Sequence, residues 1–475
     1  MMVKDNHWHH KLPFVFTAQL ATLLIMGIVE FLNMTKGCLL PVNLNMLTNA
    51  GIVLSILGLW TITLCKTPRA LCQRDVILGV VMVLWFLILE MNRRINYIPM
   101  QSLTIFAVVY LVALPFAAMT QDQDRQAGIR LVSVFYIAAA MLLVALSLIL
   151  LICGKLPAFF ADLVYWDGAR LQAFHHPNIA SRIFMIAIAL CMGFLGHTKK
   201  TWVKVLMLFA VALLFAVNAL TNCRAVIFVV CFILAGNVLF LVYNRACKHF
   251  LPSMIVAIIA AVLFASASNA LFQWNNTRLI NQLNMQDVPE QVVALEASAS
   301  ITNTSVQEII LPEVTPLAES PDQHLQGNAN SYQESFLSDL PTLNGRTRLW
   351  FSYYKKILNE PAILLRGVVD TRLVWGNLHT HNAWLEALIM LGLPGFLLVL
   401  FFSWKATWTS LRMLWHTGMD MFRKNIALLA LASMVAAMLE PCLFITYTEW
   451  SFSDFFFFLC LGYLMLWDRQ IRRTT

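Results

Sequence analysis

Within the apolar run at 130–153, residues 131–153 read LVSVFYIAAAMLLVALSLILLIC, and no side chain after Arg130 carries a charge. Roughly 20 mainly apolar residues are what one α-helical crossing of a bilayer requires, and this stretch meets that requirement. Comparable runs lie at 14–32, 47–65, 75–91, 101–119, 179–196, 202–220, 225–243, 251–271, 383–403, 425–446 and 451–467. The second and the last of the twelve are short or interrupted, and the pattern predicts about twelve spanning helices, ten at the least. The composition agrees. Of 475 residues, 59% are hydrophobic and only 12% charged, and mean hydropathy is +0.71. A water-soluble chain is nearer half apolar and a quarter charged. The expectation is an all-α polytopic membrane protein, not a string of soluble domains.

The formal net charge of +8 has two readings, an acidic partner such as nucleic acid or the excess of Lys and Arg in cytoplasmic loops. Where the charges fall decides it. With the N-terminus inside, the cytoplasmic connections carry Lys66, Arg69 and Arg74, then Arg125, then Lys199, Lys200 and Lys204, then Arg245 and Lys248, then Lys405, Arg412, Arg423 and Lys424, and the tail carries Arg469, Arg472 and Arg473. Arg93 and Arg94 are a mild exception. Both termini are therefore expected in the cytoplasm, and the basic balance points to membrane lipid rather than nucleic acid.

The ten cysteines show no CxxC spacing, and none falls between Trp274 and Ala383. The one segment long enough to fold outside the membrane is thus not a disulfide scaffold. Lys4 and Lys11 before an apolar run could imitate a signal peptide, but no small-residue cleavage site follows, and a retained first helix is expected.

Three segments come out on the far side: 154–178, 220–224 and 272–382. The chain accordingly divides into transmembrane helices over 1–271, an outward loop domain over 272–382, and further helices with a cytoplasmic tail over 383–475. Within the loop, 285–339 is rich in Ser, Thr, Asn, Gln, Glu and Pro without apolar periodicity, a flexible composition. From Leu340 the sequence grows denser, and Trp350, Tyr353, Tyr354 and Ile357 fall at helical spacing until Asn359-Glu360-Pro361 ends the run.

Candidate chemistry collects on that outward side. Arg224 opens a strongly apolar helix at the membrane boundary, and either snorkels to headgroups or grips an anion such as a ligand phosphate. Arg170 precedes Phe174-His175-His176-Pro177-Asn178, where Asn178 is either a helix N-cap or part of a site. Arg346 and Arg348 flank Thr347 in the dense part of the loop. His381, beside Asn382 at the start of the next helix, is either an interfacial histidine or a base for a hydroxyl nucleophile. His379-x-His381 lacks an evident third ligand, so no metal is expected. Several arginines with one base would suit transfer of a group off a lipid-linked pyrophosphate: the guanidiniums stabilise the leaving anion and the base activates the acceptor.

These pieces resemble the O-antigen ligase family, which includes O-antigen polymerases and protein O-oligosaccharyltransferases. The matching elements are Arg170 through Asn178-Ile179-Ala180, Cys223-Arg224-Ala225, Asn344-Gly345-Arg346 with Leu349-Trp350, and His381-Asn382 with Leu385, Gly392 and Gly395. Cys223 and Ala225 stand where the family more often has Ser and Gly, and the 285–339 insert is long for it. The resemblance spans roughly Arg170 to Gly395. It implies a GT-C-like architecture with one large periplasmic loop in the bacterial inner membrane, and a metal-independent glycosyltransferase that uses no cofactor. The donor would be a glycan on undecaprenyl pyrophosphate and the acceptor the lipid A-core. His381 would be the base and Asn382 its orienting partner. Arg224 and Arg346 would hold the pyrophosphate, with Arg170 in support and Arg348 and Asn178 nearby. A growing polysaccharide or a protein serine are alternative acceptors. A transporter or flippase is the alternative of another class; Glu30, Glu90 and Glu440 lie in or near apolar runs, but no repeated halves accompany them.

Overall fold

The computed structural model describes residues 122–161, 163–167, 170–173, 177–243, 249–286, 346–367, 382–416, 419–438, 456–457, 460–464 and 467. The expected spans at 14–32, 47–65, 75–91 and 101–119 lie outside these residues, as does nearly all of the 285–339 insert. The described elements are α1 (Asp122–Cys153), α2 (Ala158–Ala161), β1 (Val164–Asp167), β2 (Arg170–Ala173), α3 (Pro177–His197), α4 (Thr201–Leu220), α5 (Arg224–Val242), α6 (Phe250–Gln286), α7 (Arg346–Asn359), α8 (Ala362–Arg366), α9 (Ala383–Trp415) and α10 (Met421–Ala436). Among the described residues, five helices (α1, α3, α4, α5 and α6) are long and apolar enough to cross a membrane.

Surface and interior are both apolar, the signature of a bundle solvated by lipid. Val134, Leu142 and Ile152 on α1, Val205 and Phe209 on α4, and Ile258, Val262 and Leu263 on α6 are all exposed. Exposed Trp202 and Trp415 stand at helix ends, where an amphipathic ring suits a membrane–water boundary. The chain is an all-α membrane protein; among the described residues there is one small hairpin, and α3 is the central helix, buried from Ile179 through Cys191.

Contacts fix how the helices align. At one end, Arg130 of α1 stands over the Phe422 ring at 5.8 Å, Phe194 of α3 packs on Phe422, and Arg423 stands over Trp467 at 4.8 Å. A Cβ on Gly193 would lie 2.9 Å from the Phe422 ring, so α3 and α10 approach closely there. At the opposite end, Ser181 at the start of α3 bonds Asn218 at the close of α4, Arg278 of α6 reaches the Leu151 carbonyl of α1 at 2.6 Å, and the first turn of α9 bonds the last residues of α10. Near the first of these ends, Asn237 late in α5 and Asn425 early in α10 form a closed amide pair, each Nδ2 donating to the other's Oδ1 at 2.7 and 3.0 Å.

Three features depart from the sequence expectations. First, α6 continues to Gln286, so the boundary drawn at 271–272 falls inside a helix. No Gly or Pro interrupts 271–286, and Phe272, Asn275 and Asn276 are buried against the bundle; polarity rises there without breaking the helix. Second, the 154–178 segment holds an antiparallel hairpin pairing Val164 with Ala173 and Asp167 with Arg170. Tyr165 donates to Gln172 Oε1 at 3.1 Å, and Gln172 Nε2 donates to Asp167. Third, α9 is two helical segments joined at Gly392, whose φ of 65° and ψ of 178° no helix contains.

Candidate functional site

The end of the bundle that holds Asn382 also receives Asn178, the α4–α5 turn and the C-terminal part of α6. The turn is built by its own side chains. Asn218, buried, accepts from Ser181 Oγ at 2.6 Å, and Thr221 Oγ1 donates to the Asn218 carbonyl while accepting from Cys223 N at 3.3 Å. Asn222 takes the left-handed conformation at φ 49°, as Asn tolerates better than most residues. Together these deliver Arg224 as the first, half-buried residue of α5. Cys223, at the N-cap, gives no side-chain capping bond. The cationic side chain and the positive end of the helix dipole therefore coincide, a combination suited to an anion.

Asn178 is half-buried and lies inside α3 rather than capping it, because the helix begins at Pro177. Proline is well placed in a first turn, where its missing N–H has no intrahelical partner to lose. The Asn178 carbonyl accepts from Arg182 Nε at 3.2 Å. Arg182, which the sequence reading passed over, is only 3% exposed. A buried arginine within an apolar helix is costly and needs polar partners, of which the Asn178 carbonyl is one. Its signal was visible as a lone charge inside 179–196, but averaged hydropathy hides one cation among so many apolar residues.

Arg170 opens β2, half-buried and paired in register with Asp167. Arg346 and Arg348 occupy the first turn of α7. His381 lies outside the described residues; its neighbour Asn382 is described and fully engaged. Asn382 Oδ1 accepts from the backbone N–H groups of Trp384 and Leu385, both at 3.0 Å, and its Nδ2 donates to the Met438 carbonyl at 3.0 Å. Ala383 N bonds the Ala437 carbonyl at 2.8 Å. Asn382 is thus an N-cap that also staples α9 to the end of α10, and it fixes the backbone immediately after His381.

α7 and α8 close the site's flank. Tyr353, Ile357, Ile363 and Ile389 form a small core of their own, with Leu364 and Leu385 against it. The buried Glu386 carboxylate lies close enough to act on Tyr353, whose phenol is pushed well above its ordinary value, chiefly by burial and further by that negative charge. The structure thus brings Asn178, Arg224 and Asn382 to one end of the bundle, adds Arg182, and packs the helix bearing Arg346 and Arg348 on the helix that Asn382 caps. A scan of protein-family models gives no match, and neither curated proteins nor solved structures give one.

Proposed function

We propose that the protein is an O-antigen ligase: it transfers a glycan from undecaprenyl pyrophosphate to the lipid A-core at the periplasmic face of the inner membrane. The observation that carries the reading is the gathering of Arg182, Arg224, Asn178 and Asn382 at one end of the bundle, while Lys199, Lys200, Lys204, Arg423 and Lys424 belong to the other. Short basic connections mark the cytoplasmic side, so the first end is the periplasmic one. In the reaction the acceptor hydroxyl attacks the anomeric carbon, its proton passes to His381, and the sugar–phosphate C–O bond breaks. Undecaprenyl pyrophosphate leaves with the bonding pair. Arg224 and Arg346, supported by Arg170 and Arg348, stabilise the charge growing on it. Asn382 contributes by holding the backbone that presents His381, since its amide oxygen is committed to the helix start. A resident metal or organic cofactor has no role in this scheme.

The test is complementation of a ligase-deficient host that still makes the lipid-linked glycan. Wild type restores the lipopolysaccharide ladder, and His381→Ala and Arg224→Ala, at equal protein level, do not. A well-expressed wild type that restores no ladder overturns the ligase reading.

A further inference from the structure

The α7–α8 pair lies within the depth of the bundle rather than above it. Ala383 is bonded to Ala437, which places the start of α9 level with the end of α10. From Ala383, Ile389 is six and Gly392 nine residues along α9, about 9 Å and 14 Å at 1.5 Å per residue. Tyr353 and Ile357 pack in the same cluster as Ile389. An added Cβ on Gly392 would meet the Leu365 carbonyl oxygen at 2.6 Å. The C-terminal half of α7, and all of α8, therefore run alongside α9 at the level of its first turns, inside the span the sequence assigns to the membrane.

At that level α7 exposes a second apolar face. Phe351 is 57% exposed, Tyr354 55%, Leu358 60%, and Leu365 of α8 69%. At 100° per residue, Phe351, Tyr354 and Leu358 adjoin the buried Tyr353 and Ile357, so that one apolar arc of about 160° is half packed on α9 and half open. The exposed polar residues Lys355 and Asn359 lie on the other flank, and Lys355 Nζ stands over the Phe351 ring at 4.9 Å. A cation held at the margin of an apolar arc suits a helix lying in a headgroup boundary.

We infer that Phe351, Tyr354, Leu358 and Leu365 form a lipid-docking face, by which α7 and α8 lie in the outer boundary of the bilayer instead of folding as a soluble part of the loop. The occupant is membrane phospholipid: the acyl region meets the apolar arc and the headgroup phosphate meets Lys355. Leu393 and Leu397, farther along α9, are exposed apolar residues as well, and an apolar face at bilayer depth has lipid as its default neighbour. This assignment stands independently of the reaction proposed above.

The experiment places a nitroxide at 351, 358 and 365, and at 355 and 359 for comparison. Each is coupled to a genetically encoded alkyne residue in full-length protein reconstituted into phosphatidylethanolamine–phosphatidylglycerol vesicles. Collision with molecular oxygen and with a water-soluble nickel chelate is then measured. The face predicts an oxygen-to-nickel ratio several-fold higher at 351, 358 and 365 than at 355 and 359. Nickel access at the three apolar positions would mean water covers them and would overturn the proposal. Low access to both reagents would mean that protein, a second copy or another chain, covers them, and would overturn it equally.

Discussion

Replacing Gly392 by alanine tests how α8 is seated on α9. At φ 65° and ψ 178° the backbone occupies a region essentially restricted to glycine, and an L residue there costs about 1–3 kcal/mol. The added Cβ would also lie 2.6 Å from the Leu365 carbonyl oxygen, 3.0 Å from its carbon and 3.1 Å from Gly367 N. These are backbone atoms with no side-chain freedom to yield. Forcing α8 away adds a further penalty of about 1–3 kcal/mol, the range for overpacked interiors. Gly392→Ala should therefore destabilise by about 2–6 kcal/mol in all. Gly154 provides the control. Its φ is +72° but a Cβ there meets nothing within 4 Å, so Gly154→Ala carries only a backbone term of about 1–2 kcal/mol. The assay is thermal unfolding of both full-length variants in detergent, followed through a thiol-reactive dye that reports the buried Cys191, Cys231 and Cys460. Gly392→Ala should melt clearly below Gly154→Ala. Equal melting would refute the contact between α8 and the α9 break, and with it the depth assigned to α7.

Other outcomes follow from the same geometry. Asn237→Ala and Asn425→Ala each leave the partner's amide oxygen without the bond it accepted, while its Nδ2 keeps a backbone carbonyl; each should cost about 1–2 kcal/mol, and the double variant less than the sum, as a double-mutant melting cycle would show. Asn382→Ala removes the α9 cap and the staple to Met438 and should lower stability by about 1 kcal/mol; ladder synthesis should fall with it, and Asn382→Asp, which keeps the cap acceptor, should recover part of both. Tyr353 is held in its neutral form by burial and the Glu386 carboxylate. A raised folded-state value means this contribution is complete below the ordinary tyrosine range near 10 and is lost as pH rises through and beyond it. Wild type should thus show alkaline destabilisation that Tyr353→Phe lacks, and identical alkaline melting curves would contradict the raised Tyr353 value, of which burial is the larger cause.

What the sequence made legible was whatever depends on length and apolar runs. The helices expected over 130–153, 179–196, 202–220 and 225–243 are observed as Asp122–Cys153, Pro177–His197, Thr201–Leu220 and Arg224–Val242. The amphipathic run around Tyr353 and Ile357 is α7, with those two residues buried and Tyr354 exposed. Alternating spans also led to the expectation that Arg170, Arg224, Arg346 and His381 share one side; of these, Arg224 lies at the end of the bundle that holds Asn382, and His381 lies outside the described residues. Features set by tertiary contact were not legible. Gly392-Leu393-Pro394-Gly395 read as part of a continuing helix, because nothing local reveals that the Leu365 carbonyl occupies the space a Cβ would need. The hairpin over 164–173 escaped because four-residue strands are too short for period-two alternation to stand out. Arg182 escaped because its meaning lies in burial, which one charge in an apolar window does not disclose.

The most direct measurement reconstitutes the reaction with purified components: full-length protein in proteoliposomes, a glycan on undecaprenyl pyrophosphate, and lipid A-core as acceptor. The account predicts that the glycan appears on lipid A-core with release of undecaprenyl pyrophosphate, that a chelator leaves the rate unchanged, and that His381→Ala abolishes transfer. No transfer by wild type shown to be folded by its melting curve, or full transfer by His381→Ala, would contradict it.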